Sequence, residues 1–452
     1  MAPAALTPVS PPSPTVDTTS KLTKAGTEAI LSQTVSNTAP SVAELDASKC
    51  TFTPTKEPKP VPSLDSPAAY SQTYTSDHML TARWTESAGW EAPQIVPYGP
   101  LSIMPTASVL HYATECFEGM KAYRGVDGKV RLFRPDRNAK RFLKSATRIS
   151  LPGFAPEEFL KLLKRFVGVE ARRWLPADEC DGTRFMYIRP TMIATAPALG
   201  VQRPKEALMY IIMVVFPALD EPSPQPSLVK MSNGNGNGNG TLSNGKGASA
   251  PKGMRLLASQ HDMIRAWPGG FGNAKVGANY GPSLVAQGEA RARGYDQILW
   301  LFGEEGYVTE AGGSNFFVLW VNEAGRRELV TAPLGDGTIL EGVTRASVLD
   351  LVRSRTGKEA VQVVERKFTM DELVRAAEEG RLLEGFGSGT AFFIAPVSDV
   401  HFRGLDLAFP LGKEGGEGKG SEFAMGIKNQ LKGIMYGRVQ HEWGVVVEER
   451  AW

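Results

Sequence analysis

Apolar and polar residues alternate along this chain with two periods, and the changes of period mark out its elements. Short runs rich in β-branched and aromatic residues, at 129–133, 184–188, 208–216, 254–258, 297–302 and 307–310, read as strands. Longer stretches with apolar residues at every third or fourth position, at 156–175, 283–293 and 344–354, read as helices; the last carries Val348, Leu349, Leu351 and Val352. The longest apolar run, 207–216, is about half of the roughly 20 residues a membrane-crossing helix needs, so it reads as a buried strand.

Strands interleaved with helices predict an α/β (α+β) chain, and its length exceeds a single core. Residues 1–66, dominated by Ser, Thr, Pro and Ala with Phe52 as their lone aromatic, are expected to form a disordered extension. A small α/β domain is expected over 67–218 and a larger one over 254–452. Between them 219–253, with its Asn-Gly repeat from Asn233 to Gly240, reads as a low-complexity linker.

Lys plus Arg number 50 and Asp plus Glu 48, a net charge of +2. That balance gives no field to gather nucleic acid or an anionic membrane, and small molecules are the expected partners. Cys50, Cys116 and Cys180 have no paired spacing, so neither a disulfide framework nor a metal site is expected. Mitochondrial transit peptides are rich in arginine, whereas the first arginine here is Arg83; a cytoplasmic chain is preferred over a mitochondrial one.

The stretch Phe271-Gly-Asn-Ala-Lys275-Val-Gly-Ala-Asn-Tyr280-Gly281 sets a lysine in a glycine-rich turn ahead of a helix. Taken alone it fits a solvated turn lysine as well as one that forms a Schiff base, whose amine must be partly desolvated and whose neighbours must be small. Two other glycine-rich stretches fail their motifs. Gly270-Phe-Gly272 lacks the third glycine of a dinucleotide fingerprint, and Gly245-Lys246 is followed by Gly247 where a nucleotide-binding loop needs Ser or Thr.

Arg265-Ala-Trp267, Gly269-Gly270 and Lys275-x-Gly-x-Asn-Tyr280-Gly281 together resemble the cofactor-lysine segment of the branched-chain aminotransferases, which are fold-type IV pyridoxal-phosphate enzymes. Phe117-Glu-Gly-Met-Lys-Ala122, Tyr187-Ile-Arg-Pro190, Thr309-Glu-Ala-Gly312, Gly342-Val-Thr-Arg345 and Phe386-Gly-Ser-Gly-Thr-Ala391 extend the resemblance, in order, over roughly residues 70–443. It implies a two-domain fold with pyridoxal 5'-phosphate at the domain interface, and a homodimer. The implied reaction moves an amino group between branched-chain L-amino acids (leucine, isoleucine, valine) and 2-oxoglutarate, with glutamate and the 2-oxo acids as the other partners.

The same resemblance distributes roles. Lys275 is the catalytic residue and holds the cofactor; Tyr280 binds its phenolic oxygen, and Glu310 keeps its pyridine nitrogen protonated. Val343 and Thr344, at a helix start, bind its phosphate with Arg141 and Thr390. Tyr112 and Phe117 wall the side-chain pocket, and Tyr187 and Arg189, two apart on a strand, share its face. Arg189 takes the distal carboxylate of glutamate, the Thr390 and Ala391 amides take the α-carboxylate, and Val201 reaches into the neighbouring subunit. Taken without the resemblance, Arg141 looks like part of a solvated basic face with Arg134, Arg137, Lys140 and Lys144, and Glu310 like an exposed strand-end acid.

Three departures stand out. Phe392 and Ala395 replace a CxxC pair of mammalian members, Gly313 stands where many relatives have Thr, with Ser314 beside it, and the 219–253 tract replaces a shorter loop. The rivals within the fold are D-amino-acid and (R)-amine transaminases and aminodeoxychorismate lyases, from which Tyr187-Ile-Arg-Pro190 and Phe117-Glu-Gly-Met-Lys121 distinguish this chain. A branched-chain-type enzyme recruited to a specialised pathway is the further alternative.

Overall fold

The computed structural model describes residues 42–63, 66–180, 184–217, 253–355, 361–391, 393–411 and 422–450. Of the two stretches expected to lack order, residues 1–41 and all but the last residue of 219–253 lie outside the described residues.

The described chain is organised by two sheets. At the centre of the first, ten-stranded sheet, Arg184–Ala194 pairs antiparallel with Glu206–Pro217 along its whole length. Met120–Arg124 and Glu115–Phe117 pair in turn with the other edge of Arg184–Ala194. This strand runs well past the expected residue 188 because of what happens at Pro190. The carbonyl of Pro190 accepts from the Glu118 amide, so the proline's missing N–H faces the break between Glu115–Phe117 and Met120–Arg124, where no ladder bond is lost.

The two faces of this sheet differ. Met186, Ile188, Met192, Met209, Ile211, Met213 and Val215 point into a core closed by the helices Pro135–Arg148 and Pro156–Trp174. The second helix starts on proline, carries Glu157 and Glu158 in its first turn and Arg172 and Arg173 in its last, and so complements its own dipole. It buries Phe159, Leu162, Phe166 and Trp174 along one stripe. The opposite face of the sheet carries Glu115, Phe117, Tyr187, Arg189 and Tyr210, all half-buried; it is the floor of the site described below.

In the second, nine-stranded sheet, Met254–Ala258 lies parallel between Gln297–Phe302 and Phe393–Phe402, and Ser314–Val321 pairs with Leu382–Gly389. Met254–Ala258 and Gln297–Phe302 fall where the pattern puts them, and the helix Val343–Arg353 begins one residue earlier than expected, with Gly342 as its N-cap. Among the described residues no helix is long and apolar enough to cross a membrane.

Two boundaries need correction. Residues 43–52 belong to the first sheet and its core rather than to a disordered extension running to 66: Leu45, Ala47 and Cys50 are buried in the first core, Thr51–Phe52 pairs with Gln94–Pro97, and the Ala43 carbonyl accepts a bond from the Trp90 amide at 2.7 Å. This segment builds no core of its own but borrows one, which composition alone does not reveal. The strand Gly444–Val447 crosses back to pair with Val130–Phe133 in the first sheet, so residues 254–452 are not a unit to themselves. Leu45→Ala is therefore expected to cost about 2–4 kcal/mol, read as an earlier urea midpoint; an unchanged midpoint would mean that the segment is not docked.

Candidate active site

The lysine segment is fixed by its backbone. The Lys275 amide donates to Ser145 Oγ at 2.8 Å, its carbonyl accepts from the Phe117 amide at 3.0 Å, and Val276 bridges to Cys116. A residue of the second half of the chain is thus sewn to a helix and a strand of the first. Asn279 Nδ2 closes the turn by donating to the carbonyls of Phe271 and Ala274 at 2.9 and 2.8 Å. Gly277 has no room for a β-carbon against the Glu115 carboxylate. The amine that results is half-buried, 3.0 Å from the Tyr280 hydroxyl and 4.7 Å from the centroid of the Phe117 ring. A solvated turn lysine does not describe it.

Glu310 is 1 % exposed, which overturns the exposed-acid reading. Its Oε1 accepts from Asn315 Nδ2 at 3.0 Å and from the Leu340 amide at 3.1 Å. Its Oε2 lies 2.6 Å from an Arg265 nitrogen without hydrogen-bond alignment. Burial pushes this carboxyl up from the usual carboxylate range, and the Arg265 guanidinium pulls it back.

Arg141 is likewise not a surface cation. Its Nε and one terminal nitrogen donate to Glu118 at 2.7 and 2.8 Å, and the other terminal nitrogen donates to the Glu341 carbonyl at 3.0 Å. A guanidinium has five N–H donors, so some remain for a ligand. Arg141 lines a cleft of about 350 Å³ together with Arg137, Lys140, Lys144, Gly342 and Val343, and with Asp136 and Glu341. Val343 and Thr344, both buried, open the helix Val343–Arg353 beside it. A second cleft of about 370 Å³, beside Ser259, His261 and His401, is lined by none of these residues.

On the floor, Arg189 lies over the Phe117 ring at 4.7 Å and gives the Tyr187 hydroxyl a long bond of 3.4 Å, so the pair expected on one face is found there. Thr390 Oγ1 reaches the Gly119 carbonyl at 3.4 Å, and the Ala391 carbonyl accepts from the buried Lys121 amine at 2.6 Å. Lys275, Tyr280, Phe117, Tyr187 and Arg189 are therefore linked by direct contacts. Tyr112 and Val201 are not joined to them within one chain: Tyr112 is exposed and donates to the Leu199 carbonyl, and Val201 is 86 % exposed. Of the departures, Phe392 lies outside the described residues, Ala395 is buried in a strand, and Ser314 packs its hydroxyl against Gly389.

Sequence reasoning missed Glu118, Asn138 and Ser145. Asn138, Arg141 and Ser145 form one buried stripe of the helix Pro135–Arg148, and all three serve the site. Buried polar residues recurring at helical spacing were the available signal.

The family described as amino-transferase class IV matches residues 115–400. The cytosolic branched-chain-amino-acid aminotransferase of Mus musculus is 42% identical over 394 residues, covering 87% of this chain and 91% of the relative. The mitochondrial one of Schizosaccharomyces pombe is 40% identical, covering 89% and 85%. The chain belongs to the branched-chain-amino-acid aminotransferases of class IV. The fold of this aminotransferase is also that of the T.th. branched-chain amino acid aminotransferase complexed with N-(5'-phosphopyridoxyl)-L-glutamate, with a TM-score of 0.55, 27% identity and coverage of 81% of this chain and 98% of the other. Its relatives are named as cytosolic and as mitochondrial enzymes alike.

Gly119 supplies a direct test of the floor. A β-carbon there would overlap the Tyr187 hydroxyl and displace the ring from its place on the floor. Gly119→Ala is expected to lower the transaminase kcat/KM by about tenfold or more in steady-state assays, with kinetics unchanged only if Tyr187 does not line the pocket.

Proposed function

We propose that this chain uses pyridoxal 5'-phosphate to exchange the amino group between leucine, isoleucine or valine and 2-oxoglutarate. The observation that carries the reading is the contact set of Lys275: an amine held 3.0 Å from a tyrosine hydroxyl, on an aromatic ring that also carries Arg189. The residues present fit the cofactor. There is an amine for its aldehyde, a hydroxyl for its phenolic oxygen, and in Glu310 a buried carboxylate with one oxygen that takes no aligned donor among the described residues, left for its ring nitrogen. For its phosphate there is a helix start with Val343 and Thr344, with Arg141 lining the cleft beside it; the Thr390 hydroxyl is assigned to the phosphate by resemblance to the family. When bound, pyridoxal phosphate supplies the electron sink that makes the substrate α-carbon acidic.

The chain's own residues do the rest. Lys275 Nζ takes the proton from the substrate α-carbon and returns it during the transfer, and the Tyr280 hydroxyl holds that nitrogen on the reacting side. Burial raises the Glu310 carboxyl above the usual carboxylate range, while the Arg265 guanidinium and the Leu340 amide pull it back toward the anion that would face the ring nitrogen. The Thr390 and Ala391 amides orient the α-carboxylate, with Lys121 bracing the turn through the Ala391 carbonyl. Phe117 and Tyr187 form the apolar wall, and Arg189 receives the distal carboxylate of glutamate or 2-oxoglutarate. Exposed Tyr112 and Val201 fit a homodimer in which the loop at Val201 completes the neighbour's pocket.

Lys275→Ala is expected to abolish turnover, by several orders of magnitude, together with the visible absorption of the bound cofactor, while far-ultraviolet circular dichroism stays native; normal turnover in that variant contradicts the assignment. Arg189→Gln is expected to cost about 2–4 kcal/mol in kcat/KM for glutamate and much less for leucine. Equal losses for both substrates would make Arg189 structural.

A further inference from the structure

Accepting two kinds of side chain in one pocket leaves Arg189 with an unsolved charge. Its Nε is buried without a hydrogen-bond partner among the described residues, and its bond to Tyr187 is long. A distal carboxylate matches that guanidinium. An isobutyl or isopropyl group does not, and a desolvated charge with no counter-ion is unfavourable. The faces of Phe117, at 4.7 Å, and Tyr187, at 5.2 Å, relieve this only in part.

Glu115 stands where it can answer that charge. The pairing of Glu115–Phe117 with Arg184–Ala194 sets Phe117 opposite Thr191, so the side chains of Glu115, Phe117, Thr191 and Arg189 rise from the same face of the sheet. The Glu115 carboxylate is confined from above: Oε1 rests against Gly277, and a β-carbon there would collide with it. It therefore lies between the floor and the turn that carries Lys275 and Tyr280. It is half-buried and its side chain takes no hydrogen bond among the described residues. Burial raises its proton affinity and Arg189 lowers it, while Tyr210, across the strand, feels both charges.

We propose that Glu115 is the internal counter-ion of Arg189, matching its charge while an apolar side chain fills the pocket and competing with the distal carboxylate of a dicarboxylate substrate. Glu115 is then a positioning and specificity residue. It favours branched-chain ligands by offsetting the charge of the floor, and it disfavours dicarboxylates because its own charge, on the same face as Arg189 but not hydrogen-bonded to it, repels theirs. The inference rests on the reading of Arg189 as the distal-carboxylate site.

The test uses the full chain loaded with its cofactor and two unreactive probes, glutarate for the dicarboxylate and 4-methylvalerate for the branched chain, titrated calorimetrically. Glu115→Gln keeps the shape and removes the charge. It is expected to tighten glutarate by about tenfold and weaken 4-methylvalerate by about three- to tenfold, with the KM values of glutamate and leucine moving apart in the same sense. Glu115→Asp, which keeps the charge, should preserve the original order of affinities. In an Arg189→Gln background the effect of Glu115→Gln should vanish, because the pair is then already broken. Both probes weakening together under Glu115→Gln, or the effect persisting without Arg189, overturns the counter-ion role while leaving the Arg189 reading standing. Glutarate affinity indifferent to Arg189→Gln alone overturns the Arg189 reading, and the counter-ion with it.

Discussion

The site depends on one pair of backbone bonds, from the Lys275 amide to Ser145 and from the Phe117 amide to the Lys275 carbonyl. A lysine side chain has four rotatable bonds, and nothing in a free turn would place its amine. Once both backbone groups are satisfied by the first sheet and its helix, the chain on either side has to follow. Ala274 and Val276 drop into the first core, and the turn presses on Glu115. The side chain then has Phe117 and Tyr280 as its nearest surfaces. Position is set by hydrogen bonds that must be made somewhere, since unpaired buried amides are disfavoured.

Around that anchor, the buried charges come in matched sets. Arg141 meets Glu118 and Arg265 meets Glu310, each pair almost wholly out of water. Such pairs add little net stability, but losing one partner typically costs about 3–5 kcal/mol, so they hold geometry firmly. Asn315 ties the two ends of the pocket together. It donates to Glu310 and to the Leu340 carbonyl, and its own oxygen fills the space a side chain at Gly342 would need, at the start of the helix beside Arg141. The acid and the helix start are thus built by the same residue.

Much of this was legible in the sequence, because local rules and global fold agree there. Met254–Ala258, Gln297–Phe302 and the helix at Val343 follow their periodicity, and Tyr187 and Arg189 share a face because strands repeat every two residues. The misses have a common cause in tertiary context. Pro190 halts a strand on paper yet is tolerated at a break in its partner, and the segment at Leu45 looks too polar to order until another segment's core receives it. Glu118, Asn138 and Ser145 looked like unremarkable polar residues, since their value lies in whom they meet across the fold.

The return of Gly444–Val447 to the first sheet bears on how the molecule is made. Its partner Val130–Phe133 leaves the ribosome roughly three hundred residues sooner, and in that interval one border of a half-built sheet is a bare template for any other strand. Pairings so distant along the chain form slowly, because a large loop must close before any contact rewards it. An edge left open while the rest of the chain is made is the kind of surface that chaperones shield, and here it closes only with the last strand of the described chain.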